Sequence, residues 1–300
     1  MAEQAEFTPA DVEDARKMDR GEAIQYHYDN DTRFFALWLD NALNYSSARW
    51  FDPLSGAQLA TDLATAQREK VRYHLDAAKV ERGSRLMDVG CGWGAVLNEA
   101  VTGRGAAYAL GLTLSEDQKA HIDAKEWPGV EVRLEDVFKF KADEPFDAAI
   151  SIGAFEHFAK PNMPTDEKIA VYAEFFARMA EHLKQGARFS LQTIVWEDVS
   201  FEWSNQTLPE TIFPQSSIPY IEEVSAGAAQ TFRLQYLEND PKHYQLTLEA
   251  WIANFKSQRE TIEAEWGAEK YRFFLDYLRY SRLAFTRRKN SLSRFVFLRR

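Results

Sequence analysis

From residue 85 onward, short apolar runs alternate with stretches whose hydrophobic positions recur every three or four residues, a pattern that reads as strand-helix-strand. The runs predict strands over 85–89, 106–112, 130–134, 146–152 and 188–195, and the intervening stretches predict helices over 95–101, 116–124 and 166–184. In the last of these helices Ile169, Tyr172, Phe176, Met179 and Leu183 fall on one face. Strands that are apolar on both faces need both faces covered, which predicts a parallel sheet between helical layers. Upstream, helices are expected over 31–41 and 59–78. Downstream, residues 196–229 are punctuated by Pro and Ser and read as a lid or loop followed by a short helix near Ile221. A strand over 231–237, helical segments over 247–288 and a last strand over 293–298 complete the pattern. The expected fold class is α/β: a Rossmann-like, mostly parallel seven-stranded sheet with helices on both faces and an added helical lid. Residues 1–80 are expected to form an N-terminal helical cap, and residues 81–300 an α/β domain with helical substrate-binding insertions at about 196–229 and 245–290.

Composition narrows the class of partner. The 300 residues carry a formal net charge of −10, which argues against nucleic acid as the main partner, because phosphate binding needs clustered Lys and Arg. The basic group Arg287, Arg288, Lys289, Arg294, Arg299 and Arg300 is the exception; it reads as a solvated face or as a contact for an anionic headgroup or an acidic carrier protein. A single cysteine, Cys91, excludes an internal disulfide, and no Cys/His spacing suggests a metal. The chain has no run of about 18 apolar residues and starts with a polar stretch, so a membrane span is not expected and a cytoplasmic location is.

The candidate chemistry begins where the first strand runs through Leu86, Met87, Asp88 and Val89 into Gly90, Cys91, Gly92, Trp93 and Gly94. Three glycines at alternate positions leave no side chains between the backbone and a ligand, and a helix follows. The dinucleotide fingerprint G-x-G-x-x-G does not fit, since Gly94 comes two residues after Gly92. Ligands of open α/β sheets lie beyond the carboxyl ends of the strands, so Gly90, Thr113, Asp136, the stretch from Ile152 to Glu156, and Gln192 are expected to face one crevice.

The Asp-x-Gly-x-Gly-x-Gly turn resembles the first motif of class I S-adenosylmethionine (SAM)-dependent methyltransferases. Further stretches resemble the cyclopropane fatty acid synthase and mycolic acid cyclopropane synthase family: Asn44 to Ser46, Gly111 to Ser115 with Gln118, Ser151 to Phe158, Ile212 to Pro214, His243 with Tyr244, and Tyr277 to Arg279. The resemblance implies the class I methyltransferase fold, with SAM as cofactor and S-adenosylhomocysteine as product. It implies that Asp88 helps hold the methionine ammonium, that Gly90, Gly92 and Trp93 line the methionine and ribose, and that Thr113, Leu114 and Gln118 lie at the ribose. Asp136 and Val137 would meet the adenine, with Ile152 and His157 nearby. Tyr28, Tyr45 and Ser46 would close over the cofactor. Asp136 equally fits a strand-end turn, and the two tyrosines equally fit an aromatic core.

In the family, the base that removes a proton after alkene methylation is attributed to bicarbonate held by a cysteine, a glutamate, a histidine and a tyrosine. Glu156 and Tyr244 stand at two of these positions, but the cysteine position is Ser47 and the histidine position is Gln192. Gln192 cannot carry charge and Ser47 lacks the thiol, so bicarbonate is not relied on here. Glu156 becomes the principal polar catalytic candidate, with Tyr244, His157, Gln192 and Ser47 around it. Phe34, Trp38, Trp196, Phe201 and Trp203 are placed by the resemblance around the acceptor. The expected activity is methyl transfer to a hydrophobic small molecule or lipid, at carbon. The alternatives are cyclopropanation of an unsaturated acyl chain, methylation of an amine, and a non-catalytic cofactor-binding scaffold.

Overall fold

The computed structural model describes residues 32–197 and 216–300. Seven strands form one sheet in the order β3-β2-β1-β4-β5-β7-β6. They are β1 (Arg85–Val89), β2 (Tyr108–Thr113), β3 (Val130–Leu134), β4 (Phe146–Ile152), β5 (Leu183–Trp196), β6 (Phe232–Asn239) and β7 (Asn290–Arg299). The first five run parallel, and β7 pairs antiparallel with both β5 and β6. The chain winds outward from β1 to β2 and β3, then returns to the other side of β1 for β4. The two neighbours of β1 therefore connect in opposite directions, which opens a crevice at the carboxyl ends of β1 and β4.

The helices are α1 (Thr32–Ala36), α2 (Leu63–Ala77), α3 (Ala95–Asn98), α4 (Glu116–Asp123), α5 (Thr165–His182), α6 (Ile221–Ala228), α7 (Lys242–Ser257), α8 (Arg259–Trp266) and α9 (Ala268–Thr286). Local chemistry sets their ends. Asp62 caps α2 by accepting from Thr65 N at 2.8 Å, and Ser115 caps α4 by accepting from Gln118 N at 3.3 Å. The helix expected over 31–41 stops at Ala36, and the Asp40 carboxylate then takes Ala42 N and Asn44 N into a tight turn. The helix expected over 166–184 ends at His182. Leu183 is already extended and pairs with Phe146, so β5 begins five residues earlier than the apolar run suggested. The helical region expected over 247–288 starts at Lys242 and is three helices, broken at Gln258 and at Gly267, whose φ is 89°. The helix expected over 95–101, after the glycine turn, is one α turn, α3, that continues as a π turn over Glu99–Gly103.

Each face of the sheet has its own core. Tyr172, Phe175, Phe176 and Met179 of α5 pack with Phe155, Phe189 and Phe297 on one face, while Val71, Leu75, Val96 and Leu97 pack with Leu86, Ala109 and Ile150 on the other. A third cluster joins α1 and the loop after it to α7 and α9, with Trp93 from the glycine turn built into it. Phe34 and Trp38 belong to this third core. Both are fully buried, with Phe34 4.7 Å from the Phe274 ring and Trp38 5.8 Å from Trp251, so they pack the cap internally instead of facing an acceptor. Arg294 is also corrected: it is buried in β7, and only its neighbours in the basic group reach the surface, where Arg288 pairs with Glu197. Among the described residues no helix is long and apolar enough to cross a membrane.

Candidate active site

The crevice is built first by backbone. Gly90 has φ 75°, and a Cβ there would stand 2.5 Å from the Ala154 Cβ, so β1 and β4 deliver their following loops into direct contact that only glycine permits. Gly92 has φ 54° for a different reason: nothing lies within 4 Å of an added Cβ, because this residue borders open space. That space is a cavity whose floor is the glycine turn and whose rim is the loop after α1.

Of the cofactor candidates, Tyr45, Ser46, Asp88, Gly90, Gly92, Trp93, Thr113, Leu114, Gln118, Asp136, Val137, Ile152 and His157 all line this one cavity. Tyr28 lies outside the described residues, as do Phe201, Trp203 and the stretch from Ile212 to Pro214. Thr113 donates to Gln118 Oε1 at 2.7 Å, so the end of β2 and the first turn of α4 present a linked hydroxyl and amide. Asp136 Oδ1 accepts from Phe138 N at 3.0 Å, the turn expected of a strand-end acid, and the residue still borders the cavity.

Burial sets the charge at the glycine-turn end. Asp88 is 2% exposed, and desolvation pushes its carboxyl up to about 7 against the opposing Lys70 cation. Lys70 is equally buried, and desolvation brings its ammonium down to about 8. It donates to Asn44 Oδ1 at 2.7 Å and to Ser46 Oγ at 3.0 Å, tying α2 to the rim loop.

The catalytic candidates divide into two groups. Glu156 sits in the short 3-10 turn Phe155–His157 after β4 and is 7% exposed; its Oε1 accepts from Ile194 N at 2.7 Å. Its Oε2 is buried with no hydrogen-bond partner among the described residues, and burial raises its pKa. Gln192 and Ser47 meet, since Gln192 Nε2 donates to Ser47 O at 3.3 Å, but the amide is engaged internally. Its Oε1 accepts from Arg294 Nε at 2.8 Å and contacts His74 Nε2 at 3.3 Å. Arg294 is donor-only, which fixes the amide orientation, and His74, held neutral by burial, completes the chain with Nδ1 2.8 Å from Ser190 Oγ. Ser47 Oγ donates to Ala48 O at 3.3 Å. Tyr244 stacks on Phe285 with ring centroids 4.5 Å apart. Neither Glu156 nor Gln192 borders the glycine-turn cavity, so the single crevice expected from the strand ends holds Gly90, Thr113, Asp136 and Ile152 to Ala154 but stops short of these two.

Sequence reasoning missed the buried polar set. Lys70, His74, Arg49, Glu238 and Arg294 are each 8% exposed or less, and both guanidinium groups bond to Glu238. One signal was available. Gln67, Lys70 and His74 share the face of α2 that carries Ala66, Val71 and Leu75, and polar residues at core positions of an amphipathic helix must have buried partners.

The family model for mycolic acid cyclopropane synthetase matches residues 15–295. Cyclopropane mycolic acid synthase 2 of Mycobacterium tuberculosis is 32% identical over 279 residues, covering 86% of this chain and 88% of that one. The solved structure of the cyclopropane synthase MmaA2 from Mycobacterium tuberculosis superposes with a TM-score of 0.81 at 27% identity, covering 94% of this chain and 99% of that one. The structure of mycolic acid cyclopropane synthase CmaA1 complexed with SAH and CTAB gives 0.80 at 28% identity, covering 93% and 98%. The chain therefore belongs to the mycolic acid cyclopropane synthetase family of SAM-dependent methyltransferases.

Proposed function

We propose that the chain methylates a lipid or other hydrophobic acceptor at an alkene carbon, with the Glu156 carboxylate taking the proton directly. The residues present suit the cofactor. An acid and an ammonium stand at the glycine-turn end, a hydroxyl-amide pair in the middle, and Asp136 with Val137 at the far end for an amino-bearing ring. In that arrangement Asp88 meets the methionine ammonium, Thr113 and Gln118 the ribose, Asp136 and Val137 the adenine, and Tyr45, Ser46 and His157 close the cavity. SAM supplies an electrophilic methyl on a sulfonium.

The acceptor alkene donates its π pair to that methyl carbon as the carbon–sulfur bond breaks, leaving S-adenosylhomocysteine and a carbocation on the acceptor. Loss of a proton from the transferred methyl closes a cyclopropane; loss from the adjoining chain carbon leaves a methylated alkene. Glu156 accepts that proton at Oε2. Its other oxygen is pinned by Ile194 N, and its raised pKa suits a base working near neutrality.

The observation that carries this reading is the contrast between Glu156 Oε2 and the groups of Gln192 and Ser47. The carboxylate keeps an oxygen without a hydrogen-bond partner among the described residues, whereas Gln192 Oε1 is occupied by Arg294 and His74, and Gln192 Nε2 and the Ser47 hydroxyl each donate to backbone carbonyls, which favours direct proton transfer to Glu156 over a bound bicarbonate. That relatives of this chain are named as cyclopropane synthases of mycolic acids supports a lipid acceptor, and one of them is solved with CTAB. The test is incubation with methyl-labelled SAM and monounsaturated acyl lipids, followed by proton NMR of the product. Label in the lipid with vinyl or methylene signals supports a methylated alkene, upfield ring protons identify cyclopropanation, and label recovered only on amines overturns the proposal.

A further inference from the structure

Asp88 and Lys70 are opposite charges buried in the wall of the same cavity; they act on one another electrostatically, but the Lys70 ammonium spends its hydrogen bonds on Asn44 and Ser46. Each is held by a different layer. Asp88 is the next-to-last residue of β1, while Lys70 rises from α2 and is fixed by Asn44 Oδ1 and Ser46 Oγ, leaving one of its three ammonium hydrogens without an acceptor among the described residues. Asn44 is itself locked, since its backbone N and its side-chain nitrogen both donate to the Asp40 carboxylate, at 2.8 and 3.0 Å. Burial in the wall of a ligand cavity opposes the Lys70 charge, a cost that its two neutral hydrogen-bond partners offset only in part and that an anionic group of the ligand would offset further.

Two opposite charges on separate rigid mounts, both lining one space, are complementary to a zwitterion. Resting on the SAM cavity assigned above, we propose that Lys70 binds the α-carboxylate of the cofactor's methionine moiety, so that Lys70 and Asp88 together recognise its amino-acid end. The rim loop takes part through Asn44 and Ser46, which aim the ammonium. The loop is thereby coupled to the ligand, because the cation that orders it is the one that meets the carboxylate.

Calorimetric titration with S-adenosylhomocysteine and with its decarboxylated analogue, in which hydrogen replaces the carboxylate, tests the assignment. The wild-type protein should bind S-adenosylhomocysteine at least about tenfold more tightly than the analogue, as expected of a charge-assisted hydrogen bond. Equal affinities overturn the proposal, and this arm needs no variant. In Lys70→Met the affinity for S-adenosylhomocysteine should fall at least about tenfold while that for the analogue changes by no more than about twofold, so the preference disappears. Lys70→Arg, which keeps the charge, should retain most of the preference. A loss shared equally by both ligands in Lys70→Met assigns the residue a structural role and overturns the proposal. Absence of binding of either ligand to the wild-type protein refutes the cavity assignment on which it rests, and so refutes it at a recognisably earlier step.

Discussion

Arg294 Nε donates to the amide oxygen of Gln192 at 2.8 Å, from the antiparallel strand β7 to the parallel strand β5. The same guanidinium bonds to Glu238 and to Ala48 O, so one buried arginine joins β5, β6 and the rim loop beside the proposed catalytic carboxylate. Removing it leaves Glu238 with Arg49 as its one cationic partner, beside a His243 ring kept neutral by burial, and leaves Gln192 Oε1 without its shorter contact. Arg294→Met should cost about 3–5 kcal/mol in denaturant unfolding, as breaking a buried charge pair does, and adding Glu238→Gln should recover part of that loss.

Because Gln192 and Ser47 turn their polar groups inward, turnover should not depend on bicarbonate. Rates measured in carbonate-free, argon-purged buffer and with added bicarbonate should agree within about twofold. Glu156→Gln should lower turnover at least about 100-fold, the usual magnitude of a lost general base, and leave S-adenosylhomocysteine affinity nearly unchanged, since Glu156 does not border the cofactor cavity. Normal turnover by this variant would remove Glu156 from the mechanism.

Asp88 gives the unliganded protein a pH-dependent stability with a definite sign. Its folded pKa of about 7 lies above the ordinary aspartate value of 3.8, so the folded state holds a proton that the unfolded state has lost, and this contribution falls as pH rises between those values. Asp88→Asn should flatten that decline and raise unliganded stability at pH 8 by up to about 4 kcal/mol. Ligand binding should move the other way. A cationic amine needs the ionised carboxylate, so S-adenosylhomocysteine affinity should increase as pH rises through about 7 in the wild type and lose that increase in the variant.

The glycines of the turn should separate fold from ligand. Gly90→Ala forces a Cβ to 2.5 Å from Ala154 at φ 75° and should destabilise the protein by about 2–3 kcal/mol. Gly92→Ala meets nothing within 4 Å and pays for its positive φ by about 1–2 kcal/mol, yet its methyl stands at the cavity wall. Thermal melts with and without S-adenosylhomocysteine should show Gly90→Ala losing stability in both conditions and Gly92→Ala losing mainly the ligand-induced gain.

Strand identities and the glycine turn were legible because their signals are local. A short strand such as Arg85–Val89, with Leu86, Met87 and Val89 apolar, and a glycine at each second position after it need no partner to be recognised. The boundary of β5 was not, because Leu183 is extended through its pairing with Phe146, a contact across 37 residues that no helical period encodes. The Phe34 and Trp38 placement failed similarly. An aromatic residue looks the same in sequence whether it meets an acceptor or, as here, another ring.

Contiguous residues carry the β-α alternation, the backbone bend that makes the cavity floor, and the motifs of the family to which the chain belongs, so all three can be read without knowing how distant segments meet. Tertiary structure decided which polar groups remain available for chemistry. Gln192 and Glu156 are both buried polar residues near strand ends, but Arg294 and His74 converge on the first and leave an oxygen of the second unpartnered. Hydrogen-bond saturation is a property of how distant segments meet, and the dielectric that raises Asp88 and lowers Lys70 exists only once α2, β1 and the rim loop have closed around them.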